Sequence, residues 1–112
     1  MKERIARLRA ALDERELDAA LISNAQNRRY LSGFTGSAGY PLLTRDDAII
    51  ATDFRYYEQS ASQAPDYRLH KVAGGFDGWA PSLFAGLGGK KVAIESNDMT
   101  VATHSAFKKA IA

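Results

Sequence analysis

The sequence contains no cysteine and no long apolar run. The absence of cysteine from 112 residues excludes a disulfide scaffold and any thiolate metal site, and it favours a reducing compartment. No window approaches the roughly 20 apolar residues that span a bilayer, and the opening stretch MKERIARLRAALDEREL lacks the apolar segment of a signal peptide. We therefore expect a cytoplasmic protein with no membrane partner.

A strong excess of charge of one sign is also missing. The 15 basic and 13 acidic residues give a net charge of +2 and are spread along the chain. The one short basic run, Arg4, Arg7 and Arg9, is interleaved with Glu3, which is typical of a solvated helix face. Nucleic-acid binding usually requires a basic surface, so we expect no nucleic-acid partner.

Motifs for metal binding and covalent catalysis are absent as well. The two histidines, His70 and His104, stand far apart and outside any H-x-x-x-H or H-E-x-x-H frame. No G-x-S-x-G elbow accompanies the serines. Asp46 and Asp47 sit between two apolar runs, which favours a tight turn over a metal site. From its residues alone, the chain is a globular domain without a catalytic constellation.

Alternating helical and strand patterns predict an α/β fold whose sheet is covered on both faces. Helices are predicted from the N-terminus to Glu14–Glu16 and over 24–33, 53–64, 77–89 and 100–112. Strands are predicted over 17–23, 41–44, 48–52, 67–73 and 90–96, with the fourth near a sheet edge. The length fits one domain over 1–112.

The stretch YLSGFTGSAGY, residues 30–40, carries three glycines between aromatic ends. Gly33, Gly36 and Gly39 match neither G-x-G-x-x-G nor the Walker pattern. The stretch also follows a predicted helix and precedes a predicted strand, whereas a nucleotide loop lies between a strand and a following helix. A shaped turn is favoured over a phosphate loop, although a stand-alone module that binds a small ligand stays open as an alternative.

Two paired motifs add a family resemblance. Residues 30–37 read YLSGFTGS and residues 52–56 read TDFRY, within NRRYLSGFTGSAGY and LLTRDDAIIATDFRYYEQSASQ. This pair resembles the N-terminal domain of the creatinase/prolidase/aminopeptidase P metallopeptidases, where a β-hairpin joins the two motifs. The opening RIARLRAALDERELDAALIS is similar to the first helix and strand of that domain, whereas residues 74–112 are only compatible with it. Phe54 departs from the pattern, because many relatives carry glycine there.

The resemblance implies a three-layer α/β/α sandwich of ribonuclease H-like type, with a mixed sheet of five or six strands. It also implies a downstream catalytic domain in which Asp, His and Glu ligands hold two divalent ions, Mn, Co or Zn, that cleave Xaa-Pro bonds. Under this interpretation, 1–112 is a fragment with no catalytic residue, metal or cofactor of its own. Its partners are its own C-terminal catalytic domain, a second copy in a homodimer, and the proline-containing peptide substrate of the parent enzyme.

For this domain the resemblance implies a role in shaping the substrate cleft and in dimerisation. Phe34, Thr35 and Ser37 are expected at the tip of the glycine-rich turn, where they would line the partner subunit's substrate cleft. Arg55 is expected to bind a substrate carboxylate there or an acidic residue of the partner subunit. Alternatively, Arg55 has a local structural role in which its guanidinium pairs with Asp53 or Glu58. The parent is either a peptidase or a creatinase-like or catalytically inactive relative.

Five further residues are interpreted as structural. Asp53 is predicted to cap the following helix. The aromatic residues Tyr30, Tyr56, Tyr57 and Trp79 are predicted to pack rather than to bind a ligand.

Overall fold

The computed structural model describes residues 1–111 and contains five strands and five α-helices. The helices are α1 (Lys2–Glu14), α2 (Ala25–Ser32), α3 (Tyr57–Gln63), α4 (Phe76–Leu83) and α5 (Val101–Ile111). The strands are β1 (Ala19–Leu21), β2 (Tyr40–Thr44), β3 (Ala48–Thr52), β4 (Arg68–Lys71) and β5 (Val92–Ala93). A 3₁₀ turn, Phe54–Tyr56, leads into α3.

The sheet is mixed, with strand order β4-β3-β2-β1-β5. β2 is antiparallel to both of its neighbours, whereas β3–β4 and β1–β5 pair in parallel. The predicted Arg-Asp-Asp turn between β2 and β3 is confirmed: the Thr44 N–H donates to Asp47 O at 3.0 Å. β4 forms one edge, in agreement with its predicted position.

Alternate strand residues supply two apolar clusters on opposite faces of this sheet. In β1, Ala20 joins the cluster beneath α1 and α2, whereas Ala19 and Leu21 join the cluster beneath α4 and α5. Leu42 and Leu43 of β2 divide in the same way. The period of two along each strand therefore produces three layers, α/β/α, and confirms the fold class expected from the sequence.

Two predicted boundaries differ from the structure. The helix predicted over 77–89 ends at Leu83, and Gly86 and Gly89 beyond it adopt φ values of +84° and +76° in irregular turns. The strand predicted over 90–96 has only two ladder residues, Val92 and Ala93, which pair with Ala19 and Ala20 of β1. The last predicted helix, 100–112, is observed as α5, and Ala112 lies outside the described residues.

Candidate functional site

The chain passes from the end of α2 into the glycine loop, residues 33–39. Asn24 begins the helix, since its side-chain oxygen accepts from the Asn27 N–H at 3.0 Å. Gly33 ends it with φ +83°, the left-handed conformation that glycine adopts most easily. A Cβ at Gly33 would lie 2.7 Å from Gln63 O, so both the backbone angle and the space require glycine there. The predicted helix stop is confirmed.

Phe34 lies beneath the loop rather than at its tip. Its side chain is fully buried in the cluster that faces α1 and α2, and its ring meets the edge of Tyr56 at 5.6 Å between centroids. A Cβ at Gly36 would lie 2.2 Å from Phe34 Cζ, so the loop wraps directly over the ring. The prediction of Phe34 at the exposed tip is wrong, because burying an aromatic ring is more favourable than hydrating it.

The buried Arg28 side chain supports the glycine loop through two hydrogen bonds. The sequence did not predict Arg28 as part of the site. The Arg28 guanidinium donates to Gly39 O at 2.9 Å and to Gly36 O at 3.0 Å. Burial lowers the pKa of Arg28. A signal for this position exists in the sequence: residue 28 precedes the buried Leu31 and Ser32 by three and four positions, which places it on the same helix face.

Further hydrogen bonds fix the two flanks of the loop. Thr52 Oγ1 donates to Ala38 O at 2.7 Å. On the other flank Gln63 Oε1 accepts from the Thr35 N–H at 2.9 Å, and Gln63 Nε2 donates to Thr35 Oγ1 at 3.0 Å. The Ser37 hydroxyl pairs with the Tyr56 hydroxyl, and this hydrogen bond lowers the pKa of Tyr56. Thr35 and Ser37 are exposed, so the loop is anchored inside and polar outside.

Asp53 and Arg55 form a second polar feature, in the turn after β3. Asp53 Oδ1 accepts from the Arg55 N–H at 3.1 Å and from Arg55 Nε at 2.9 Å, while Oδ2 accepts from Nη2 at 2.8 Å. The Arg55 hydrogen bonds hold the pKa of Asp53 below its usual range. The predicted cap at Asp53 and the local pairing of Arg55 are both confirmed.

The glycine loop and the Asp53–Arg55 turn lie at the same end of the sheet. The loop precedes β2 and the turn follows β3, and the antiparallel pairing of Tyr40 with Ala51 brings these strand ends together. The Ser37–Tyr56 hydrogen bond joins the two features directly. The structure therefore brings three of the four predicted site residues, Thr35, Ser37 and Arg55, to one exposed polar edge and places the fourth in the core.

The packing roles predicted for the aromatic residues are confirmed only in part. Trp79 is buried against Tyr40, Phe76 and Phe107, and Tyr56 packs on Phe34, as expected. Tyr57 is half-buried, with Lys71 Nζ 5.4 Å from its ring centre. The packing prediction for Tyr30 is wrong. Its side chain is 49% exposed and carries the Arg4 guanidinium 4.3 Å above the ring centre.

Within residues 1–111, no group of three or more His, Asp or Glu side chains could hold a metal ion. His70 Nε2 lies 3.1 Å from Trp79 O, and His104 is exposed on α5. No helix in the same range is both long enough and apolar enough to cross a bilayer. The glycine loop lies between α2 and β2, which confirms its predicted position after a helix and before a strand.

The family model described as "Creatinase/Prolidase N-terminal domain" matches residues 4–112. An uncharacterized peptidase, YqhT, of Bacillus subtilis is 32% identical over 108 residues, covering 96% of this chain and 31% of the relative. The chain thus spans about a third of the length of that relative.

Solved structures agree in fold. The Xaa-Pro dipeptidase from Bacillus anthracis superposes with a TM-score of 0.90 at 39% identity, covering 98% of this chain and 31% of that one. The N-terminal domain of the cytoplasmic peptidase PepQ from Mycobacterium tuberculosis H37Rv gives 0.83 at 40% identity, covering 96% of this chain and 84% of that one. In the second case the domain was crystallised by itself.

Proposed function

Because the chain belongs to the creatinase/prolidase N-terminal domain family, we propose that it is the non-catalytic domain of a two-metal Xaa-Pro peptidase and forms part of the substrate cleft. The observation that carries this proposal is the exposed polar edge of Thr35, Ser37 and Arg55, in which hydrogen bonds anchor both flanks of the glycine loop. A rigid scaffold that presents polar side chains is the usual construction of a binding surface.

The chemistry itself belongs to a separate catalytic domain. Residues 1–111 bring no metal-ligand set together, and the chain spans 31% of the B. anthracis dipeptidase that it resembles. Two divalent ions, Mn, Co or Zn, would polarise the carbonyl before proline and activate the attacking water there. The domain described here contributes walls and hydrogen-bonding groups, in a cytoplasmic enzyme whose substrate is a proline-containing peptide.

We propose that the polar edge acts across a dimer. It occupies one end of the sheet, away from the β2–β3 turn, so a neighbouring subunit could approach it without disturbing the core. In a homodimer, Thr35 and Ser37 would line the partner's cleft and supply hydroxyl groups to the peptide. The proposed ligand is a peptide rather than a nucleic acid.

Arg55 is the residue of this edge that is best suited to an anionic or carbonyl group of the substrate. Nε and Nη2 are occupied by Asp53, whereas Nη1 donates to no acceptor within residues 1–111. The Arg55 side chain is 56% exposed, so the ion pair is weak in free energy and can be exchanged for a bound group.

Joining the chain to its catalytic domain tests the proposal. We expect no Xaa-Pro hydrolysis from the chain alone, and hydrolysis by the joined protein loaded with Mn²⁺. The catalytic domain alone should have a raised KM, because part of the cleft wall is missing. Equal kinetics with and without residues 1–112 would contradict a role in the cleft.

Arg55→Ala in the joined enzyme tests the site. We expect KM for an Xaa-Pro dipeptide to rise about tenfold, while Tm changes little because exposed ion pairs are worth under about 1 kcal/mol. Arg45→Ala is the matched control, since Arg45 is equally exposed and pairs with Asp13 at 3.3 Å at the other end of β2. A fall in Tm with unchanged KM would show that Arg55 acts only through its ion pair with Asp53.

A further inference from the structure

Arg28 is a buried cation with no carboxylate of residues 1–111 within ion-pair distance. Its side chain belongs to a residue that is 6% exposed. Both of its hydrogen bonds end on backbone carbonyls, of Gly36 and Gly39, while its buried Nε has no acceptor. An apolar side chain of similar length would avoid the desolvation of this charge. Core packing therefore does not explain an arginine here.

The geometry of the guanidinium matches the path of the loop. Its two Nη atoms reach carbonyls three residues apart, and Thr52 Oγ1 takes the Ala38 carbonyl between them. Three acceptors of the loop are thus turned inward. The side chains of Thr35 and Ser37 remain on the outer surface.

We propose that Arg28 is a positioning residue that keeps the glycine loop in the one shape that presents Thr35 and Ser37 to substrate. This inference rests on the proposed function, in which the loop walls the cleft. A planar fork can bond two carbonyls at once in a fixed geometry, whereas the lysine ammonium is a compact point charge. The role is therefore specific to arginine and not to positive charge.

Hydrogen exchange in this chain tests the positioning role without any catalysis, and the crystallised PepQ domain indicates that such a domain folds alone. In Arg28→Met the amides of Phe34 and Thr35, which donate to Ser32 Oγ and Gln63 Oε1, should exchange about tenfold faster, because the loop opens more often once two buried carbonyls lose their donors. Exchange in α5, on the other face of the sheet, should stay unchanged. Arg29→Met is the matched control: Arg29 is exposed on the same helix and its side chain makes no hydrogen bond within residues 1–111.

Two results would overturn the proposal. Loop exchange in Arg28→Met equal to that in Arg29→Met would show that the other bonds hold the loop without Arg28. Uniformly faster exchange, α5 included, would show a general structural role. If Arg28→Met does not fold, Arg28→Lys is measured in its place, with faster loop exchange again expected and wild-type exchange again contradictory.

Kinetics of the joined enzyme separate this proposal from the proposed function. We expect Arg28→Met to raise KM for an Xaa-Pro dipeptide about tenfold with kcat within about twofold, since the loop binds and does not react. Faster loop exchange with unchanged KM would refute the loop as a cleft wall while leaving Arg28 as its support. Unchanged exchange would refute the positioning role whatever KM does.

Discussion

At the scale of single residues, one buried ring explains the composition of the glycine loop. Phe34 turns inward and the loop passes over it, so that Cβ atoms at Gly36 and Gly39 would lie 2.2 Å and 3.0 Å from ring carbons. The glycines therefore serve close approach and not flexibility. The same packing leaves the side chains of Thr35 and Ser37 exposed.

We predict that Gly36→Ala destabilises the domain by about 1–3 kcal/mol, because the new methyl group overlaps the Phe34 ring and the core must shift. Urea unfolding measures the change in the free energy of unfolding. Gly78→Ala in α4 is the control: nothing lies within 4 Å of a Cβ there, so the substitution should stabilise by about 0.5–1 kcal/mol. Wild-type stability of Gly36→Ala would contradict the observed packing.

At the scale of secondary-structure elements, the segment after β5 supports the start of α2. Glu95 Oε1 accepts from the N–H groups of Ser23 and Asn24 at 2.7 Å and 2.8 Å, and Oε2 accepts from the Asn27 side chain. Backbone donors at the entry to a helix have no partner within the helix. A carboxylate at this end also interacts favourably with the helix dipole. α2, and with it Arg28, is thereby oriented by a distant element.

Replacing the Glu95 carboxylate should lower the free energy of unfolding of the domain. We predict that Glu95→Ala costs about 1–3 kcal/mol, because two backbone donors lose a charged acceptor. Glu14→Ala is the matched control, since that side chain is exposed and accepts no hydrogen bond within residues 1–111. Chemical denaturation of both variants checks this, and equal midpoints would contradict the capping role.

At the scale of the whole molecule, the two apolar clusters share one set of strands. Leu31, on α2, packs in one cluster, whereas the sole tryptophan, Trp79, packs in the other. Neighbouring residues of β2 and β3 contribute to opposite clusters, so neither face can lose its packing while the strands stay in place. Cooperative unfolding of both faces is expected from this arrangement.

We predict that Leu31→Ala lowers the free energy of unfolding by about 2–5 kcal/mol. Unfolding followed by the fluorescence of Trp79, on the opposite face of the sheet, should show the same decrease. Far-ultraviolet circular dichroism should give the same midpoint. Val101→Ala, at a side chain that is 83% exposed, should change the free energy by less than about 0.5 kcal/mol. A Trp79 transition that does not move with Leu31→Ala would show two independent units.

Local pattern was sufficient for the α/β class and for the order of its elements. Apolar periodicity distinguishes a strand from a helix. The helix stop at Gly33, the cap at Asp53 and the turn at Asp46-Asp47 depend on residues nearby in the chain, so the sequence predicts them. Boundaries near residues 84–96 were less accurate, because there glycine turns and strand pairing with β1 decide where elements end.

Contacts between distant residues decided the candidate site. Composition marks Phe34 as aromatic and Arg28 as charged, but only the packed structure turns Phe34 into the core and places the Arg28 guanidinium under the loop carbonyls. Glu95 caps a helix 71 positions away, a pairing that no local pattern encodes. Periodicity specifies which face a side chain occupies, whereas its depth and its partner depend on how the layers close around it.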